Sequence, residues 1–142
     1  MKTIIGYGNN LRGEEAFGGD VINHLQKYSK DNILKNTKLI STFQLTPELC
    51  LELLDSSKII FIDALYSNKR PYLLACSLEK SISTNLSHNI SPEIIISILE
   101  NLYNHKIEYE IYSMTTCNFE KILDEKKYET CVNKVFEFIK NS

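Results

Sequence analysis

The 142-residue sequence has no tryptophan, no excess charge of one sign and no long apolar run. Lysine and arginine number 16 and aspartate and glutamate 18, a formal net charge of -2. This balance excludes the strongly basic surface that is typical of nucleic-acid-binding proteins. It also excludes a polybasic patch that would bind anionic membranes. No apolar stretch approaches the roughly 20 residues that span a bilayer, and the apolar part of the first residues is too short for a secretory signal. We therefore expect a cytoplasmic protein without nucleic-acid or membrane partners.

Cysteine is scarce, and its spacing is not that of a metal or redox site. The four cysteines are Cys50, Cys76, Cys117 and Cys131, and no two of them form a C-x-x-C pair. A chain of this length buries about two thirds of its unfolded surface and needs no disulfides. We predict one domain over residues 1–142, with the cysteines as small buried side chains in a reducing compartment.

Glycine is also scarce, and all of it lies near the start of the chain. The five glycines are Gly6, Gly8, Gly13, Gly18 and Gly19. Because glycine permits positive φ and close backbone approach, this predicts one special loop on an otherwise regular scaffold. The segment departs from a dinucleotide-binding fingerprint, since position 11 is leucine and Glu14 and Glu15 would repel a pyrophosphate. A small nucleotide-binding domain is therefore kept only as a third alternative.

Apolar residues alternate along the chain between strand and helix periodicity. Strands are predicted over residues 3–7, 37–43, 58–62, 72–78 and 107–114, and helices over residues 15–28, 91–104 and 126–140. Thr46-Pro47-Glu48 and Ser91-Pro92-Glu93 predict two helix starts, with Thr46 and Ser91 as N-caps. The alternation predicts an α/β protein with a mostly parallel sheet and helices on both faces. In such sheets, ligands bind beyond the carboxyl ends of the strands.

Three side chains are predicted near those strand ends and suit a divalent metal. Glu15 follows the glycine segment, Asp63 is predicted to end a buried strand, and His88 precedes a capped helix. Two carboxylates and a neutral imidazole can bind a transition metal and leave coordination positions open. Each also has a simpler role: Glu15 at a helix N-terminus, Asp63 as an acceptor in a turn, and His88 as a solvated side chain. The other two histidines, at positions 24 and 105, are expected at the surface.

Three blocks of residues, in this order, resemble one protein family. The first is Gly6-x-Gly8-Asn9-x-Leu11-Arg12-Gly13-Glu14-Glu15-x-Phe17-Gly18. The second is Gln44-Leu45-Thr46-Pro47-Glu48-Leu49, followed by Ile59-Ile60-Phe61-Ile62-Asp63-Ala64. The third is Ser87-His88-Asn89-Ile90-Ser91-Pro92, followed by a helix ending Leu102-Tyr103. Together they resemble the hydrogenase maturation proteases, the endopeptidases that trim the large subunit of nickel-iron hydrogenases.

The resemblance implies a fold, a substrate and a site. The fold is a three-layer α/β sandwich with a twisted, mostly parallel sheet of about five strands. The substrate is a nickel-loaded hydrogenase large-subunit precursor, from which the carboxyl-terminal extension is removed. Glu15, Asp63 and His88 match the metal-contacting positions and would bind the nickel of the substrate, or another divalent metal in the free protein. Glu15 and Asp63 would also be the catalytic carboxylates of an aspartyl-type protease.

The sequence leaves two questions open. Hydrolysis could use a carboxylate as general base toward water, or a metal that polarises the scissile carbonyl or acidifies bound water. The chain could also be a non-catalytic module, metal-sensing or chaperone-like, that docks the precursor without cutting it. Glu14 has no assigned role at this stage.

Overall fold

The computed structural model describes residues 1–9, 11–28, 34–76 and 90–141. Five strands lie in these ranges: β1 (Lys2–Tyr7), β2 (Thr37–Thr42), β3 (Lys58–Tyr66), β4 (Leu74–Cys76) and β5 (Glu108–Thr116). The helices are α1 (Phe17–Lys27), α2 (Pro92–Leu102) and α3 (Glu125–Lys140), with a 3-10 turn at Gly13–Ala16 and a 3-10 helix at Pro47–Leu53.

The strands form one sheet in the order β2-β1-β3-β5-β4. All pairs are parallel except β4 with β5, which is antiparallel. The predicted sheet of about five mostly parallel strands is therefore confirmed. The four parallel strands end on the same side of the sheet, at Tyr7, Thr42, Tyr66 and Thr116, and we call this side the carboxyl edge.

Two apolar cores lie on opposite faces of the sheet and make the fold a three-layer sandwich, as predicted. On one face α1 and α3 pack against Ile60 and Ile62 of β3. On the other face α2 and the 3-10 helix pack against Ile59 and Phe61. This alternation along β3 is the period of two expected of a strand buried on both faces.

The strand that carries Asp63 is longer than predicted, and this corrects the position of that residue. β3 runs to Tyr66 because it pairs with β5 along its whole length, from Lys58 opposite Glu108 to Tyr66 opposite Thr116. Asp63 therefore lies inside the strand and not at its end. The next residues after the apolar run stay in the sheet because β5 supplies their hydrogen-bond partners.

The two predicted helix caps behave differently. The Ser91 side chain accepts a hydrogen bond from the backbone N–H of Ile94 at 3.4 Å, as an N-cap does. The Thr46 side chain makes no capping hydrogen bond. Its backbone carbonyl accepts the bond from Leu49 N–H instead, at 3.1 Å, which suits the tight 3-10 turn that follows.

Some expectations about single side chains are wrong. Cys50 and Cys131 are buried as predicted, but Cys76 is exposed on β4. His105 is partly buried, with its Nε2 atom 2.7 Å from the carbonyl oxygen of Ser56. His24 packs against Phe136, with ring centroids 4.9 Å apart. Neither histidine is a plain surface residue, because each is half-buried and contacts a distant part of the chain. No helix in the described ranges has the length and apolar character to cross a bilayer.

Candidate functional site at the carboxyl edge

Glycine lets the start of α1 lie directly on the end of β1 and on the neighbouring part of β3. A Cβ atom on Gly18 would lie 2.4 Å from the carbonyl oxygen of Ile62 and 2.6 Å from the backbone nitrogen of Tyr7. Gly8 has a φ of +141°, and a Cβ atom there would lie 2.3 Å from the carbonyl oxygen of Glu15. Any larger residue would push the 3-10 turn off the sheet, so these glycines set where Glu14 and Glu15 lie.

Glu14 is fully buried and anchors this turn to the rest of the carboxyl edge. Its carboxylate accepts hydrogen bonds from the hydroxyl groups of Tyr72 and Thr116 and from the backbone N–H of Leu123, the last at 2.9 Å. The Tyr72 hydroxyl also accepts a bond from Asp124 N–H, at 2.9 Å. Burial, together with the bond to Glu14, raises the pKa of Tyr72 to about 12. These hydrogen bonds tie Glu14 to three distant parts of the chain, so its role is structural.

The carboxylate of Glu15, the next residue, differs from that of Glu14 in its hydrogen bonding. Its Oε1 atom is buried and accepts no hydrogen bond from the described part of the chain. The same oxygen forms an ion pair with the Arg12 guanidinium, with Nη1 3.3 Å away. Buried polar atoms are usually hydrogen-bonded. Oε1 of Glu15 thus has an ion pair with Arg12 but no hydrogen bond within the described residues, whereas the carboxylate of Glu14 accepts three hydrogen bonds.

Asp63 is buried, and its carboxylate is held by two hydroxyl groups. The Tyr7 hydroxyl donates to Oδ2 at 2.6 Å and the Ser113 hydroxyl donates to Oδ1 at 2.5 Å. Burial raises the pKa of Asp63 to about 6, because it outweighs the two hydrogen bonds that favour the ionised form, and Glu93 raises the pKa further. Burial and the neighbouring Asp63 also raise the pKa of Tyr7 well above its ordinary value.

Two of the three sequence-predicted site residues, Glu15 and Asp63, lie beside the end of β1. The side chain of Tyr7 bonds to Asp63, and the next residue, Gly8, packs against Glu15. The end of β1 therefore lies between the two acids. His88 lies outside the described residues. Within the described ranges, no three histidine, cysteine, aspartate or glutamate side chains are grouped to hold a metal ion.

Sequence reasoning missed Tyr7, Ser113, Tyr72 and Thr116. Tyr7 was visible, since it is the middle residue of the Gly6-x-Gly8 motif. Ser113 follows from the strand register, which pairs it with Asp63 across β3 and β5, and register is not readable from one sequence. Tyr72 and Thr116 are 58 and 102 residues from Glu14, so no local pattern links them.

No family model and no curated protein matches the sequence. Solved structures do match. The nickel-iron hydrogenase maturation protease HycI from Thermococcus kodakarensis KOD1 has a TM-score of 0.74 at 17% identity, over 99% of this chain and 90% of that one. The chain has the fold of a hydrogenase maturation protease. HybD from Thermococcus kodakarensis gives 0.71 at 16% identity (99% and 97% covered), and the endopeptidase HybD from E. coli gives 0.70 at 16% (99% and 92% covered).

The likeness to the maturation protease fold extends past the three sequence blocks. Those blocks end at residue 103, whereas the structural match covers 99% of the chain. It thus takes in β5, which supplies Ser113 and Thr116, and α3, whose N-cap is Asp124. The resemblance drawn from short motifs is confirmed for the fold as a whole.

Proposed function

We propose that the chain is an endopeptidase that removes the carboxyl-terminal extension of a nickel-loaded hydrogenase large-subunit precursor. In this proposal Glu15, Asp63 and His88 bind the nickel of the substrate. The observation that carries it is the fold, which matches solved structures named hydrogenase maturation proteases over almost the whole chain. A precursor without nickel would offer these three ligands nothing to bind, so cleavage depends on metal insertion.

The state of the two described acids supports metal recognition. Glu15 has a carboxylate oxygen without a hydrogen bond, and Asp63 takes part in none of the ion pairs found among the described residues. Asp63 therefore keeps its negative charge for a cation, and in this proposal Glu15 exchanges its ion pair with Arg12 for the metal. Two carboxylates with one imidazole form a mixed oxygen and nitrogen ligand set that suits a first-row transition metal.

The hydrolytic step is assigned to Asp63 as general base. The carboxylate takes a proton from a water molecule, whose oxygen attacks the scissile carbonyl carbon. The carbon–nitrogen bond then breaks, and the proton passes to the leaving amine. The carboxylate has two oxygens, so one accepts this proton while the other binds the nickel.

Exposed apolar side chains around the site support a folded protein as substrate. Leu11 in the glycine segment is 93% exposed, and Phe43, Tyr66 and Leu123 are also exposed at the carboxyl edge. Exposed apolar side chains grouped around a polar site are typical of protein interaction surfaces. They fit a docking surface for the precursor around the nickel-binding acids.

Leu11→Ser is expected to weaken docking and leave the chemistry intact. The KM for nickel-loaded precursor should rise about 5- to 10-fold, as for loss of one apolar contact worth about 1 kcal/mol or more, while kcat stays within twofold. Leu102→Ser is the matched control, because Leu102 is 76% exposed at the far end of α2, away from the carboxyl edge. Equal KM values for both variants would place docking elsewhere.

Glu15→Gln is expected to abolish processing without loss of stability. The glutamine keeps the shape of the side chain but removes the charge that binds the metal, so cleavage should fall about 100-fold or more. The free energy of unfolding should stay within about 0.5 kcal/mol of the wild-type value. Glu100→Gln, at an exposed position of α2, should match wild type in both measurements. A Glu15→Gln variant with full activity would remove Glu15 from the site.

His88→Ala should show the same loss of cleavage, since it removes the third proposed ligand. Intact mass measurements of the precursor distinguish a protease from a docking module. A protease shortens the nickel-loaded precursor at its carboxyl terminus, whereas a docking module binds it and leaves its mass unchanged.

A further inference from the structure

The carboxylate of Asp63 accepts hydrogen bonds from side chains on both neighbouring strands. Tyr7 ends β1 on one side, and Ser113 lies directly opposite Asp63 in β5 on the other. Each provides one hydroxyl donor to a different carboxylate oxygen, at 2.6 and 2.5 Å. We propose that Tyr7 and Ser113 are positioning residues that fix the orientation of the Asp63 carboxylate for metal binding. This inference rests on the proposed function.

Neutral donors suit this task better than a charged partner would. A lysine or arginine would orient the carboxylate but also neutralise it, and a neutralised acid attracts a metal ion weakly. Asp63 takes part in none of the ion pairs among the described residues. An ionised carboxylate has about four acceptor positions, so two hydroxyl bonds leave the others for a ligand. The two hydroxyls therefore orient Asp63 and keep its charge.

Thr3 and Ser56 form a second buried hydroxyl contact, which is purely structural. Thr3 of β1 and Ser56, just before β3, are both buried, and their hydroxyl oxygens lie 2.5 Å apart. These two hydroxyl groups bond to each other at the opposite end of the strands, and no carboxylate takes part. Tyr7 and Ser113 instead direct their hydroxyls onto an acid at the carboxyl edge. Thr3 is thus a matched control for the loss of a buried hydroxyl.

The test compares the wild-type protein with Tyr7→Phe, Ser113→Ala, Ser113→Thr and Thr3→Val. Nickel-loaded precursor is the substrate, and kcat/KM is measured beside the free energy of unfolding. We expect about a tenfold or greater loss of kcat/KM for Tyr7→Phe and Ser113→Ala, the effect of one lost hydrogen bond to a charged group. Ser113→Thr restores the hydroxyl and should recover most of the activity. Thr3→Val should lose stability and keep wild-type kcat/KM.

A second readout is independent of the precursor. The carbon-13 resonance of the Asp63 carboxyl, followed through a pH titration, reports its hydrogen bonds. Because both hydroxyls favour the ionised form, their removal should move this resonance and raise its midpoint, whereas Thr3→Val should change neither. The positioning role is overturned if Tyr7→Phe and Ser113→Ala cleave nickel-loaded precursor as fast as wild type. If the wild-type protein cleaves no precursor, the proposed function fails, and the resonance alone decides whether Tyr7 and Ser113 hold Asp63.

Discussion

Replacing Asp63 with asparagine is expected to stop cleavage of the nickel-loaded precursor and leave the protein folded. The amide keeps the size of the side chain and can still bond to Tyr7 and Ser113, since their hydroxyl groups can turn to accept as well as donate. It has no charge for the metal and takes no proton from water. Cleavage should therefore fall about 100-fold or more, the usual contribution of a general base. Asp55→Asn, at an acid whose carboxylate is 65% exposed beside Lys38, should keep wild-type cleavage.

The same variant should change how stability depends on pH. Burial raises the pKa of Asp63 from 3.8 to about 6, so between these values the folded protein binds the proton more tightly than the unfolded chain does. The stabilisation is complete below about pH 4 and is lost as the pH rises through 6. Asp63→Asn should remove this slope and raise the free energy of unfolding at pH 7.5 by up to about 3 kcal/mol.

Urea unfolding at pH 5 and pH 7.5 measures this effect in both proteins. The wild type should lose stability between the two pH values relative to Asp63→Asn. An identical pH dependence in the two proteins would mean that Asp63 titrates at an ordinary pKa and is not buried as described.

Glu14→Ala is expected to cause the largest loss of stability of any single change at this edge. The substitution leaves the Tyr72 and Thr116 hydroxyls and the Leu123 N–H without their shared acceptor. Hydrogen bonds to a charged group contribute about 1.5 to 3 kcal/mol each, and buried donors left unpaired cost more. We expect the free energy of unfolding to fall by about 3 kcal/mol or more, measured by urea unfolding.

The neighbouring acid gives the sharpest comparison for Glu14→Ala. Glu15→Gln should unfold like the wild type, because Oε1 of Glu15 accepts no hydrogen bond from the described residues. Glu129→Ala, at an exposed position of α3, should change stability by less than about 0.5 kcal/mol. The anchoring role of Glu14 is contradicted if Glu14→Ala is as stable as Glu129→Ala.

Local patterns were sufficient to predict the layers of the fold. Alternation and helical spacing depend on which residues face the core, and the buried run Ile59 to Ile62 has the same meaning in any parallel sheet. The end of β3 was harder, because Asp63 and the residues after it are held in the sheet by β5, more than 40 residues later. The extent of a strand depends on its partner as well as on its own residues.

The site could be predicted only in part, because some of its residues are set by contacts between distant segments. Acids after a glycine segment and next to a buried apolar run are visible in the sequence, so Glu15 and Asp63 could be proposed as site residues. Which of Glu14 and Glu15 turns inward depends on how the 3-10 turn packs against distant segments, such as the backbone at Phe119 and Leu123. Adjacent residues in a turn point in different directions, and their type alone does not say which is buried. The same holds for Ser113, which is known only once the register is known.

We propose that this chain trims a hydrogenase precursor only after nickel is in place. The most direct test incubates the purified protein with the same precursor in nickel-loaded and nickel-free form and measures the intact mass of each. We expect a shortened carboxyl terminus in the nickel-loaded precursor and an unchanged mass in the nickel-free precursor. Equal cleavage of both forms would contradict recognition through the metal, and cleavage of neither would contradict the peptidase itself.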